Sequence, residues 1–306
     1  MQRVQTEPAR QIEVLRRVVV APPEVLGLVV ATAIAPGHLL LEDVPGVGKT
    51  LLAKTLAAAL GLGFRRIQFS PDLLPGDLTG IKVYLPNDGS FRFVPGPIFT
   101  PVLLADEINR ATPRTQAGLL EAMEEAQVSI DGETFSLPDP FFVVATQNPA
   151  TFDATYPLPE AQLDRFTASL TLGYPSYDDE KALLEGRHGE GIPISPLPPD
   201  SLGEWRTAAR AVHVDPSLRD YLLAIVRMSR QWPDVRLGIS PRGALAWQSL
   251  ARARAFVEGR GFLVPDDLKQ TALPALAHRL LLEGDSPRDR REAVLRDWLE
   301  RTPVPR

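Results

Sequence analysis

A short apolar run, His38-Leu39-Leu40-Leu41-Glu42, leads directly into a glycine-rich turn, Gly46-Val47-Gly48-Lys49-Thr50. A strongly helix-forming stretch, Leu51–Leu60, follows and is closed by Gly61 and Gly63. An apolar run of this length reads as a buried parallel strand, so strand, glycine turn and helix form one β-α unit. Three further runs read as strands: Phe64–Phe69, Val102–Ala105 and Phe141–Ala145. Helix-like segments separate them, notably Thr112–Gln127, and this alternation predicts a parallel sheet with helices on both faces, an α/β fold.

Two places break the alternation. Ile81–Tyr84 and Ser90–Val94 flank Asn87-Asp88-Gly89, and Val128–Ile130 and Thr134–Leu137 flank Asp131-Gly132-Glu133. Both read as hairpins inserted into helix-rich connections. Ahead of the first strand, apolar spacing predicts helices over 8–20 and 24–35, separated by Pro22-Pro23 and stopped by Pro36-Gly37. Residues 192–200 hold four prolines and read as an extended linker. Helices follow over 201–211, 216–231, 241–258, 265–282 and 287–300, without a strand pattern. The expected organisation is a core over 1–173, a linker over 174–200 and an all-helical lid over 201–306.

The string Asp43-Val44-Pro45-Gly46-Val47-Gly48-Lys49-Thr50 matches G-x-x-x-x-G-K-[ST] with aspartate in place of the first glycine. Gly46 and Gly48 let backbone N–H groups turn inward around phosphate oxygens, while the helix opening at Leu51 directs its positive end at them. Lys49 supplies a cation for the outer phosphates and Thr50 a hydroxyl for Mg²⁺. Val102–Asp106 is an apolar run ending in an acid. Asp106 suits the metal, and the adjacent Glu107 suits activation of a water, which hydrolysis requires. An acid pair placed at a helix start by the dipole is the plainer reading of the same residues. Asn148, at the tip of a third strand, has an amide suited to a phosphate oxygen or a water, although Asn-Pro also simply starts turns.

Composition narrows the partners. The chain of 306 residues carries a formal charge of −5 and no cysteine, which excludes disulfides and thiolate metal sites. The net negative charge argues against a general nucleic-acid coat; residues 1–200 hold 15 Lys/Arg against 25 Asp/Glu, while the remainder, with 18 against 13, reads as an anion-facing surface or, more simply, as solvated helix faces. The first residues lack the apolar core of a signal peptide, and Val25–Leu41 is interrupted by Thr32, Pro36, Gly37 and His38. Neither a leader nor a membrane span is expected, and the reading is a cytoplasmic protein.

Taken in order, these strings resemble an AAA+ ATPase, and more specifically the MoxR family of the helix-2-insert clade. The resemblance is carried by Leu41–Thr50, Ala105–Ala111, Gln116–Glu125, Thr146-Gln147-Asn148-Pro149, Pro159–Phe166 and Ser240-Pro241-Arg242, with Pro265-Asp266-Asp267 and Ala277-His278-Arg279 in the C-terminal third. It implies ATP and Mg²⁺ as cofactors, Walker A at 43–50, Walker B at 102–107 and sensor 1 at Asn148. Arg165 would be an arginine finger reaching the ATP of a neighbouring subunit. Arg242 would be sensor 2, projecting from the lid onto the γ-phosphate, and Arg110 a further inter-subunit arginine. A ring homo-oligomer, a hexamer, is implied, acting as a chaperone-like motor on a client such as a von Willebrand A-domain protein. The two hairpins correspond to inserts that face the pore or client in relatives. The adenine pocket falls to Val18–Val25, the lid helices and residues near Tyr174-Pro175.

Two other readings compete. A nucleotide-gated scaffold with incidental hydrolysis needs neither Glu107 nor Arg165, and a nucleic-acid motor fits poorly with the acidic core and five lysines in all. A guanine-reading Asn-Lys-x-Asp string does not occur.

Overall fold

The computed structural model describes residues 2–148, 156–187, 189, 191–284 and 286–305; Pro149 lies outside the described residues. Helices α1 (Gln2–Val18) and α2 (Pro23–Ile34) come first, followed by β1 (His38–Glu42), α3 (Lys49–Ala59) and β2 (Phe64–Gln68). Helix α4 (Pro75–Thr79) leads into the hairpin β3 (Gly80–Leu85) and β4 (Ser90–Pro95). Next are β5 (Val102–Asp106), α5 (Pro113–Glu125), the hairpin β6 (Gln127–Ile130) and β7 (Glu133–Ser136), and β8 (Phe142–Gln147). Helix α6 (Glu160–Leu163), β9 (Phe166–Leu170) and α7 (Tyr177–Leu184) complete the core and its exit. The C-terminal part contains α8 (Ser201–Arg210), α9 (Pro216–Ser229), β10 (Val235–Leu237), α10 (Pro241–Val257), α11 (Pro265–Leu276), β11 (Leu281–Leu282) and α12 (Arg288–Arg301).

The main sheet has the order β2-β5-β8-β1-β9 with every pairing parallel. All carboxyl ends therefore lie along one edge, where ligand crevices of such sheets form. Alternate residues face opposite layers. Leu39 and Leu41 enter an apolar cluster with α1, α2, α3 and the C-terminal helices, whereas Leu40 joins Leu119, Leu120 and Met123 in a second cluster under α5. The fold is thus the expected α/β/α layering with a helical lid. The lid is not a separate body, because its buried Trp205, Trp247 and Trp298 belong to the cluster that covers β1. The two hairpins pack on each other through stacked Phe93 and Phe135, ring centroids 4.0 Å apart, and the 2.7 Å pair Lys82–Glu133.

Local expectations are corrected or refined at five points. Strand β9 was not anticipated, because Thr167 and Ser169 interrupt its apolar run. Their buried hydroxyls are satisfied by Pro36 O (2.8 Å) and the Glu42 carboxylate (2.5 Å), which makes the strand tolerable in a core. The linker expected over 174–200 also contains a helix, α7, capped by Ser176 and with Asp178, Asp179 and Glu180 in its first turn. The helix expected over 265–282 ends at Leu276. A 3-10 turn, Ala277–Arg279, follows, and the Arg279 guanidinium takes up Ala275 O and carbonyls of β9. The lid is therefore not purely helical either, since β10 and β11 pair antiparallel. Finally, α1 starts at Gln2 and runs through Pro8 instead of opening there.

Candidate functional site

Gly46 and Gly48 take φ of +88° and +91°, the left-handed region that glycine enters without strain, and a Cβ on either would meet nothing within 4 Å. The loop therefore encloses open space at the N-terminus of α3, which begins at Lys49 with Gly48 as its cap. The Lys49 ammonium folds back onto the carbonyls of Asp43 (2.6 Å) and Val44 (2.9 Å). Burial lowers its pKa, and the carboxylates of Asp43, Asp106 and Glu107 oppose that shift. Asp43 has a further part. Its buried carboxylate accepts the backbone N–H groups of Leu172 and Gly173, tying the loop to the chain leaving β9. A glycine there could not make that link.

Asp106, Glu107 and Asn148 follow β5 and β8, which the sheet order sets beside β1. One Asp106 oxygen accepts the Thr146 hydroxyl (2.6 Å), and the other accepts Nε and Nη2 of Arg66 (3.1 and 2.7 Å). Glu107 sits at φ 54°, an uncommon conformation for a side chain of its kind, and its N–H donates to the same Thr146 hydroxyl at 2.8 Å. Gln68 and Arg110 both donate to its carboxylate at 2.9 Å. Arg110, expected between subunits, thus pairs with Glu107 of its own chain. Arg66 and Gln68 were not anticipated. Alternation along β2 puts both on one face of the sheet, and the register that sets Gln68 opposite Asp106 brings them to the acid.

These residues line a cavity of about 530 Å³ comprising Pro45, Gly46, Gly48–Leu51, Lys54, Arg66, Gln68, Asp106, Glu107 and Asn148. Of the anticipated loop residues, Asp43 and Val44 lie outside that lining and serve through their carbonyls, and Val47 is buried in the apolar cluster. A second cavity of about 500 Å³ is bounded by Val19–Pro23 and Leu172–Ser176, with Arg16 and Asp179. Leu172 and Gly173, held by Asp43, connect the second cavity to the loop.

Arg165 and Arg242 line neither cavity. Both pair instead with Glu124, Arg165 at 2.9 Å and Arg242 at 2.8 Å. Glu124 adjoins Met123, whose carbonyl lies 3.0 Å from Nε2 of His38 at the amino end of β1, and Arg165 directly precedes β9. The cluster thus sits at the sheet's amino edge, roughly 17 Å from the glycine loop at ~3.3 Å per strand residue. Arg242, expected to project from the lid onto a γ-phosphate, does not lie at the glycine loop of its own chain here: α10 packs on α2 and β9, and Arg242 meets Glu124 at the far end of the sheet. Asp164 braces the cluster, accepting Arg279 Nε and the Ser240 hydroxyl at 2.7 Å each.

The parallel sheet with its glycine loop, the acid-ended β5 beside it and the packed helical lid are the layout of the P-loop AAA+ fold. Residues 38–168 match the family described as "ATPase family associated with various cellular activities (AAA)", and residues 227–298 match the AAA lid domain. The uncharacterized protein YeaC of Bacillus subtilis is 44% identical over 302 residues, covering 97% of this chain and 94% of its own. Chaperone MoxR1 of Mycobacterium tuberculosis is 39% identical over 92% of this chain and 77% of its own. A Cytophaga hutchinsonii crystal structure, provisionally described as an ATPase, superposes with a TM-score of 0.87 at 32% identity, over 100% of this chain and 97% of that one. The chain belongs to the MoxR family of AAA+ ATPases.

Proposed function

We propose that the chain hydrolyses ATP with Mg²⁺ in a ring of its own copies, a hexamer, and that the ring is a chaperone-like motor that remodels a protein client in the cytoplasm. The observation that carries this reading is the separation of Arg165 and Arg242 from the loop that needs them. Phosphoryl transfer needs fixed cations where negative charge develops. In one copy those arginines lie at the opposite end of the sheet, so a second copy must present them.

Within the cavity, the inward N–H groups of Gly46–Thr50 and the α3 dipole hold the β- and γ-phosphates, with Lys49 as their cation. The second cavity takes the adenine, consistent with its place beside Leu172 and Gly173. Mg²⁺ prefers oxygen ligands and keeps several waters. The Thr50 hydroxyl and the Asp106 carboxylate, both lining the cavity, fit that demand, and the ion would neutralise charge on the phosphates. Glu107 orients the attacking water and receives its proton, and Asn148 steadies that water or the γ-phosphate. For Glu107 to do so, Gln68 and Arg110 must give up its carboxylate.

A protein client is favoured over nucleic acid by the β3–β4 hairpin. It exposes Ile81, Tyr84, Phe91 and Val94, an apolar surface with only Lys82 and Arg92 as cations. A von Willebrand A-domain protein is the proposed client. Among the described residues no helix is long and apolar enough to cross a membrane. The test is Mg²⁺-dependent ATP turnover of the full chain and of Glu107→Gln. Equal rates would leave a scaffold with incidental hydrolysis. Retention of a purified von Willebrand A-domain protein by the ATP-bound Glu107→Gln ring, lost with ADP, tests the client.

A further inference from the structure

Glu124 lies in the last turn of α5, where the helix dipole disfavours a carboxylate and no basic residue offsets it. Arg242 is the second residue of α10, where the dipole disfavours a cation. Each charge thus stands at the wrong end of its helix, and helix stability explains neither. What explains them is each other and Arg165. Arg242 Nη1 donates to one Glu124 oxygen at 2.8 Å, and Arg165 Nη2 meets the other at 2.9 Å.

The backbone under all three is fixed. Ala126 at φ 51° closes α5 by donating to Ala122 O at 3.0 Å, and His38 Nε2 holds Met123 O. Ser240 caps α10 by accepting Gly243 N–H at 2.9 Å while its hydroxyl donates to Asp164, the neighbour of Arg165. One carboxylate between two guanidiniums leaves an excess positive charge. Glu124 and Arg242 are each 44% exposed, so that charge faces outward.

We propose that Glu124 is the positioning residue of the arginine pair: its two oxygens hold the core arginine and the lid arginine at one point, preset for one phosphate group of an adjacent copy. The inference rests on the reading that Arg165 and Arg242 serve a neighbour's site. Glu124 itself touches no nucleotide. It removes the rotamer freedom of two long side chains before the neighbour docks, and a misplacement near 1 Å at such a centre costs on the order of 10²-fold in rate.

The test compares wild type, Glu124→Gln and Glu124→Asp as full chains, with assembly followed by light scattering. Glu124→Gln, which keeps the shape and loses the charge, should lower ATP-saturated turnover roughly ten-fold while KM stays within about two-fold. Glu124→Asp, which keeps the charge and shortens the reach, should fall between. Adding Lys49→Ala subunits, whose arginine face is intact, should raise turnover per Glu124→Gln subunit, and Glu124→Gln should add little to Arg165→Ala. Wild-type or higher turnover in Glu124→Gln, or no recovery at any mixing ratio, overturns the proposal. Arg165→Ala mixed with Lys49→Ala separates the two levels. If that mixture recovers and the Glu124→Gln mixture does not, only the role of Glu124 fails; if neither recovers, the shared-site reading fails first.

Discussion

The two edges of the parallel sheet are built by opposite means. At the carboxyl edge, Gly46–Thr50, Asp106, Glu107 and Asn148 each follow directly from the strand that carries them, and one cavity collects them. At the amino edge, Glu124 comes from α5, Arg165 from the turn before β9 and Arg242 from the lid, with 118 residues between the first and the last. On the proposed reading the first edge holds the phosphates, and the second is a set of cations kept for an adjacent copy. The difference teaches that residues proposed for one site can come in one part from a local string and in another from tertiary assembly, and that the lid here is bound to the second part.

The largest expected effect tests that division directly. Arg165→Ala should lower turnover about 10³-fold while ATP affinity of the loop, followed with a fluorescent ATP analogue, stays near wild type. Lost affinity in a dissociated chain would place Arg165 at its own loop and collapse the comparison. Glu107→Gln strikes the other edge and should cost about 10²–10⁴-fold in turnover with ATP still bound. Its partner test is Arg66→Ala, which frees one Asp106 oxygen and should shift the Mg²⁺ concentration for half-maximal turnover by a few-fold; an unchanged Mg²⁺ profile would leave Arg66 without a part in the site.

Smaller effects concern what joins the edges. Asp43→Ala strands the buried N–H of Leu172 and frees that of exposed Gly173, at about 1–3 kcal/mol for the buried group, so its melting temperature should fall together with its ATP affinity. A drop in only one of these would uncouple the loop from the chain leaving β9. Acid should act from the amino edge. His38 is buried, and Val143 N–H donates to its Nδ1, so the ring must stay neutral with its proton on Nε2 toward Met123 O. Burial lowers its pKa from 6.5 to about 4. The unfolded chain binds this proton below pH 6.5 and the folded chain only near 4, so His38 contributes stability above 6.5 that drains away as pH falls between those values, at ~1.4 kcal/mol per unit. His278, also buried and lowered, adds in the same direction. Urea midpoints at pH 7 and pH 5 check this, and equal midpoints would rule it out.

Much of the molecule was legible because its signals are local. The five-residue run His38–Glu42, the glycine turn and both hairpins were readable from neighbours within a few residues, and the structure places them there. Strand β9 was hidden because Thr167 and Ser169 look polar until Pro36 and Glu42 satisfy them. Arg66 and Gln68 were hidden for a related reason. Nothing within β2 says that Asp106 pairs beside Gln68, which only the register of β2 on β5 decides.

By itself, the sequence determined the β-α phosphate unit, the acid pair after an apolar strand, the parallel α/β class and the helical C-terminal part. Chain propensities and turn chemistry act over a handful of residues, so these need no distant partner. Only the tertiary structure decided where the lid sits, and with it which end of the sheet receives Arg242. That outcome depends on burying Trp205, Trp247 and Trp298 in one apolar cluster that also takes in residues of α2 and β1, and burial is summed over surfaces that are far apart in the chain and has no local signature.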